Sequence, residues 1–256
     1  MIKQIGISGL AALLLLLPLY GRSEQPNLTP AKQHNLKLNL GTDLVSRYVW
    51  RGTDFGGSPC IQPTLSLSGS NFEIGCWSAL STNNSYKEID LYLKYTFRNF
   101  TVTVTDYYVP EINGLPVSPD PRYFMLADKN TAHTLETSLQ WKGGEKFPLW
   151  ISGNVFLYGN DKRWGYVPEK DSVETTYYST YFEAGYSLTV LDNTVDLFAG
   201  FTPWAGAYGS GPGFVNLGIT AYRTLKITDS FSLPVKSSLI FNPKASQAFF
   251  VLGVTF

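Results

Sequence analysis

Histidine and cysteine are nearly absent from this chain, which has two of each, scattered as His34, His133, Cys60 and Cys76. Protein metal sites draw on clusters of these residues at short spacing, and the acidic residues here are spread singly, so no metal centre or other cofactor is expected. Charge is scarce as well. Only 16% of residues are charged, and 20 basic side chains balance 20 acidic ones. That balance leaves no electrostatic footprint for a nucleic-acid partner. Beyond residue 23 no stretch approaches the roughly 18 consecutive apolar residues that a membrane-spanning helix needs, and helical periodicity is poor throughout.

The N-terminus points to export. Lys3 supplies a positive charge, Ile5 to Leu19 is apolar around the run Leu13–Leu17, and Tyr20-Gly21-Arg22-Ser23 offers small residues for cleavage after Ser23. This is the pattern of a secretory signal peptide, residues 1–23. Residues 24–34, with Pro26 and Pro30, read as a short periplasmic lead-in, and residues 35–256 as one domain. Cleavage removes Lys3 and Arg22 and leaves a slight acidic excess. Sixteen Tyr, 16 Phe and six Trp make the remainder rich in aromatics. An exported, aromatic-rich chain without helical periodicity points to an all-β protein.

Alternation with period two is plain at the C-terminus. In Gln247–Phe256, Ala248, Phe250, Leu252, Val254 and Phe256 share one face of a strand. Gln247, Gly253 and Thr255 share the other, on which Phe249 and Val251 are exceptions. A terminal Phe on an apolar face suits a strand whose solvent is lipid, with the ring in an interfacial girdle. It also resembles the C-terminal assembly signal of bacterial outer-membrane proteins.

Twelve such strands are expected, at about 35–51, 59–68, 72–80, 88–97, 100–108, 131–141, 148–158, 175–190, 194–204, 213–225, 230–241 and 247–256. The connections after even strands are short, whereas those after odd strands include the long segments 109–130 and 159–174. An even strand number with short turns at one end and longer loops at the other is the signature of a transmembrane antiparallel up-and-down β-barrel. Closure satisfies every backbone group in lipid and leaves no edge. Cys60 and Cys76 are expected as free thiols. A hairpin closed at Ser70-Asn71 sets Cys76 opposite Leu65 and Cys60 opposite Ser81, about 17 Å apart along the sheet, too far for a disulfide.

Parity then assigns faces. Lys37, Arg47, Arg51, Lys94 and Lys236 point inward with Asp43, Glu73, Asp90, Glu136, Glu183 and Asp196. The two signs nearly cancel, so strong ion selectivity is not expected. Tyr92, Phe156, Tyr158, Tyr177, Tyr181, Phe198 and Tyr222 add aromatic surface to the lumen, a mixture that suits sugars or nucleosides and suits structural filling too. Tyr48, Trp50 and Trp141 are expected in the outward aromatic girdles with Phe256.

Tyr48-Val49-Trp50-Arg51-Gly52, followed by Gln62-Pro63-Thr64-Leu65-Ser66-Leu67-Ser68 and Gly75-Cys76-Trp77-Ser78, resembles the opening of the TorF-type porin family. There a tyrosine, an arginine and a glycine close the first strand, and a Gly/Trp/Ser hairpin follows. The likeness covers this region, the signal peptide and the terminal Phe, and not the long loops. It implies an outer-membrane barrel of porin type and names no solute.

Two main readings of function stay open. One is a passive or weakly selective channel for small hydrophilic solutes. The other is a non-conducting barrel acting through its long loops. Twelve strands lie between the about 8 that side chains fill and the about 16 that hold a channel. The Pro-rich loop 109–130 either folds inward as a constriction or stands outside as a solvated cap. A lipid-modifying enzyme is a third reading, but His133 has Leu135 where a serine nucleophile would stand. The expected partners are outer-membrane lipid, the barrel assembly machinery and, for a channel, small solutes.

Overall fold

The computed structural model describes residues 36–128, 130–162 and 176–256. The signal peptide, the lead-in with His34, Asn35 at the expected start of the first strand, Lys129 and residues 163–175 lie outside the described residues. Every regular element described is a strand.

Twelve strands form the wall: β1 (Lys37–Val45), β2 (Cys60–Gly69), β3 (Phe72–Ser81), β4 (Lys87–Phe97), β5 (Phe100–Tyr108), β6 (His133–Lys142), β7 (Leu149–Gly159), β8 (Thr180–Val190), β9 (Asn193–Thr202), β10 (Gly213–Lys226), β11 (Ser232–Asn242) and β12 (Gln247–Thr255). Each pairs antiparallel with its chain neighbours, and β12 pairs with β1, so the sheet closes into a barrel. At the seam Leu44 lies opposite Val254, and Phe256 exchanges two backbone hydrogen bonds with Thr42, at 2.9 and 3.1 Å.

The wall is apolar outside. Every strand leaves large hydrophobic side chains exposed: Leu40 on β1, Leu65, Ile74, Leu93, Val102, Leu139 and Ile151 on β2 to β7, then Phe182, Leu197, Ile219, Leu239 and Phe250 on β8 to β12. A water-soluble protein does not carry a continuous apolar belt of this kind. In a bilayer the belt meets hydrocarbon, while the closed ladder leaves no free strand edge. The fold is a transmembrane β-barrel. Tight turns link strands at one end, among them Leu191-Asp192, where both residues adopt positive φ as a two-residue primed hairpin turn requires. The long connections gather at the other end, called here the long-loop rim.

The hairpin register between β2 and β3 sets Leu65 opposite Cys76 and Cys60 opposite Ser81, and both cysteines are free thiols. Two bulges interrupt the period. On β7, Leu135 pairs with Tyr158 but Glu136 pairs with Phe156, so Leu157 is an extra residue. On β10, Gly200 pairs with Asn216 but Phe201 pairs with Phe214, leaving Val215 as the extra residue, fully buried.

The first strand is shorter than expected. It ends at Val45 instead of continuing to Arg51, and the chain leaves the wall at Ser46. The connection to β2 contains its own small hairpin, Tyr48–Trp50 paired with Thr53–Phe55. Arg51 and Gly52 form its turn at φ 48° and 77°.

Candidate functional site

The hairpin between β1 and β2 folds into the lumen instead of standing above it. Its contacts on several walls fix this. Tyr48 packs on Phe55, Trp77 and Tyr86 with ring centroids 5.4 to 5.8 Å apart, and joins a buried cluster with Val45, Cys60, Ala79, Ile240, Phe249 and Val251. The two inward apolar residues of β12 thus face a hydrophobic partner. Trp50 reaches further, stacking at 11° on Phe156 and lying 5.6 Å from Tyr107 and 5.9 Å from Tyr208.

Arg51 sits at the tip. Its guanidinium donates to both carboxylate oxygens of Glu136 on β6, at 2.5 and 3.0 Å, and also to the Tyr208 hydroxyl. Side-chain exposure is 11% for Arg51 and 1% for Glu136, so this ion pair is sealed from water. Tyr107 and Ser138 donate two further hydrogen bonds to Glu136, at 3.0 and 2.9 Å. The guanidinium also lies 4.3 Å from the Trp50 ring and 4.7 Å from Tyr181. A bidentate arginine with its carboxylate otherwise satisfied is the arrangement in which a buried pair is tolerated.

Gly52 completes the seat. Its carbonyl accepts from Asn242 Nδ2 at 3.0 Å, and a Cβ there would stand 1.8 Å from the Val215 carbonyl oxygen. Only glycine allows this approach at that φ. At the base of the hairpin Arg47 pairs with Asp54 at 2.9 Å, and Ser46 joins β12 by backbone and hydroxyl bonds with Leu252.

The expectation for Tyr48 and Trp50 is therefore corrected: neither is an outward girdle residue. Parity counted from β1 fails after Val45, because the chain turns through the barrel mouth and no longer obeys the wall's alternation. Arg47 and Arg51 are inside, but on the hairpin and not on the wall. Tyr158 is corrected as well. The bulge at Leu157 turns it outward beside Leu135, where its hydroxyl donates to the Leu126 carbonyl at 2.6 Å. Tyr177 lies in the segment before β8, its amide donating to the Asp161 carbonyl. At this same rim, burial pushes the Asp161 carboxyl above its ordinary value although Ser179 donates to it.

The other inward candidates fall into separate groups. Arg47, Glu183, Asp196, Tyr222 and Lys236 line one cavity of about 320 Å³ beneath the hairpin, together with Trp150, Phe198 and Asn216. Lys236 also pairs with Asp43 at 3.2 Å. Glu73, Tyr92 and Lys94 form their own cluster toward the short turns, with Tyr92 donating to Glu73 at 2.8 Å. Asp90 is buried beside Glu88 at the level of the Tyr48 cluster. Lys37 is exposed at the start of β1. Trp141 and Phe100 lie opposite each other near the short-turn rim.

Residues beyond the reach of periodicity complete the site. Tyr86 and Tyr208 belong to connections, where alternation has no meaning. The visible signal was the pair of apolar exceptions on the lumen face of β12, Phe249 and Val251, which require something apolar inside the barrel.

The long connection 109–132 adds no strand to the wall, and Val109 and Ile112 near its start pack against the Tyr48 cluster. Its first part forms a small hairpin, Glu111–Ile112 with Leu115–Pro116, over the connection between β3 and β4. Its second part descends on the outer wall. His133 is buried there, with Nδ1 2.9 Å from Asp106 and Nε2 2.6 Å from the Tyr123 carbonyl. Both ring nitrogens therefore face acceptors, and no hydroxyl nucleophile stands at either among the described residues.

No protein-family model matches the chain. No curated protein matches it either. Among solved structures it is similar to a crystal structure of a doubly substituted variant of OccD1 (OprD), at 12% identity and a TM-score of 0.38. The match covers 86% of this chain, which spans 65% of the length of that one. The architecture stands on the closed ladder and the outward apolar belt of the chain itself.

Proposed function

We propose that this chain is a bacterial outer-membrane channel of porin type for small polar solutes, held shut at the long-loop rim by the hairpin between β1 and β2. One observation carries the reading. Below the hairpin the lumen is not filled with apolar side chains but keeps a cavity of about 320 Å³ bordered by Gln62, Glu183, Asp196, Thr220, Lys236 and Ser238. A barrel built only as a scaffold gains nothing from leaving charged groups around an open space. Past Ser46, in turn, the hairpin is fastened by side chains and not by the wall's backbone ladder, so it can leave without opening the sheet. The TorF-type resemblance agrees with this class. The reading brings with it lipid against the apolar belt and the assembly machinery that inserts such barrels.

Planar-bilayer recording tests it. The intact protein should show little current, and replacing residues 47–55 by a short Gly-Ser linker should produce stable open channels. A linker variant that folds, as judged by heat-modifiable migration on gels, yet passes no current would sink the proposal. That result would favour the second reading, a non-conducting structural barrel, to which the tightly packed Trp50 and Tyr48 clusters lend support.

A further inference from the structure

We infer that the cavity beneath the hairpin is a binding site for a small organic cation, an ammonium-bearing solute held against the wall of β7 to β10. The inference deepens the channel reading by naming a solute class, and rests on that reading only for how the solute arrives.

Charge is the first ground. Three cationic side chains border the cavity, and each already has its own acid: Arg47 with Asp54, Arg51 with Glu136 and Lys236 with Asp43. Glu183 and Asp196 border the same space and have no cationic partner among the described residues. Glu183 accepts neutral hydrogen bonds from the Tyr181 hydroxyl and Asn216, so the cavity is left with two carboxylates that lack a counter-charge, in surroundings where unpaired charge is costly.

Unspent acceptors are the second ground. Asn216 is 7% exposed, and its amide donates to the Tyr181 hydroxyl at 3.0 Å and to Glu183 at 2.8 Å. That fixes the side chain and leaves its Oδ1 without a partner, as is Oδ1 of Asp196. Both can take up only a donor.

Aromatic surface is the third. Trp150 and Phe198 sit where the side chains of Gly185 and Gly218 would stand, since a Cβ on either glycine would meet the ring at 2.1 and 2.3 Å. The glycines let the rings press on the wall and border the cavity. Along β9 the inward residues run Asp196, Phe198, Gly200, and Glu183 and Asn216 flank Gly200 on the adjacent strands. Phe198 thus lies between the two acidic positions. Rings beside carboxylates favour an ammonium group through cation–π attraction and direct pairing. A neutral sugar would leave the charges unpaired, and an anion would be repelled. The volume lies at the small end of ligand cavities, which run from about 300 to 1,000 Å³.

Isothermal titration of the full-length protein in detergent micelles decides the matter, with choline chloride, glucose and sodium acetate as probes. Choline should bind saturably, and Asp196→Asn, Glu183→Gln and Phe198→Leu should each weaken it by about tenfold or more while heat-modifiable migration persists. The three variants change different elements of the site, so loss of folding in one leaves the other two to be read. Absence of choline binding, glucose binding equally well, or folded variants with unchanged affinity would overturn the inference. Bilayer recording separates the two ideas. Choline binding without current in the linker variant removes the channel and leaves the site, whereas current without choline binding does the reverse.

Discussion

Two connections at the long-loop rim have opposite fates. The shorter, residues 46–59, enters the lumen; the longer and proline-rich one, residues 109–132, lies over the rim and the outer wall. Length does not decide which goes in. The short hairpin offers Tyr48, Trp50 and Phe55, and inside the barrel it meets Val45, Ala79, Ile240, Phe249 and Val251, side chains that would otherwise face water. Its arginine meets a buried glutamate. The long connection offers Tyr123, and on the outer wall this residue meets Tyr108 and His133 at ring distances of 4.9 and 5.1 Å. Each segment goes where its aromatic and charged groups find partners, and the barrel wall differs from one face to the other.

The comparison predicts effects that fall off from the hairpin tip to the outer connection. Arg51→Ala is the most severe change. It leaves Glu136 buried without a counter-charge, at a cost of about 3–5 kcal/mol, and should drive the hairpin from its seat. Bilayer current should rise, and amide hydrogen exchange over residues 48–55 should accelerate. The double replacement Arg51→Met with Glu136→Leu removes both charges and should restore a closed, slowly exchanging hairpin. Continued exchange protection in Arg51→Ala would show that the aromatic packing alone holds the seat.

Gly52→Val should come next. The ion pair stays, but a side chain at positive φ costs about 1–2 kcal/mol, and its Cβ collides with the Val215 carbonyl. The same two measurements should show partial opening. A variant as closed as the parent would mean that the hairpin tip can shift away from β10 while keeping Arg51 on Glu136.

On the outer wall, Asp106→Asn and His133→Ala should free the second part of the long connection without touching the lumen. Trypsin should cut faster after Arg122, which is already exposed, and bilayer behaviour should match the parent. A change in current would show that the two connections communicate. The smallest effect is expected from deleting Gly114–Pro121. Folding, judged by heat-modifiable migration, and current should both persist, because these residues neither form the wall nor enter the lumen.

Much of this fold is legible in the sequence because lipid imposes a strict grammar. An outward apolar set on every strand, turns sorted by length and an even count leave one architecture, and the expected bounds agree within two residues for ten strands, while β8 starts at Thr180, five residues later than expected. The first strand departs most, ending at Val45 and not at Arg51. Residues 46–51 alternate as well as any strand, yet Arg51-Gly52 is also a primed-turn dipeptide, and that turn prevails because its tip finds Glu136 85 residues away. Tyr158 departs from parity for a related reason, since one extra residue at Leu157 inverts every face beyond it.

Local alternation and turn chemistry by themselves determined the barrel: the number of strands, which side chains meet lipid and which end carries the long connections. Those properties depend on neighbours two residues apart, so the chain states them directly. The tertiary structure alone decided that the lumen is stoppered, which charges are paired and which are left over. These depend on distances across the barrel, between Arg51 and Glu136 or among Glu183, Asp196 and Asn216, and no period along the strand encodes a distance across the bore.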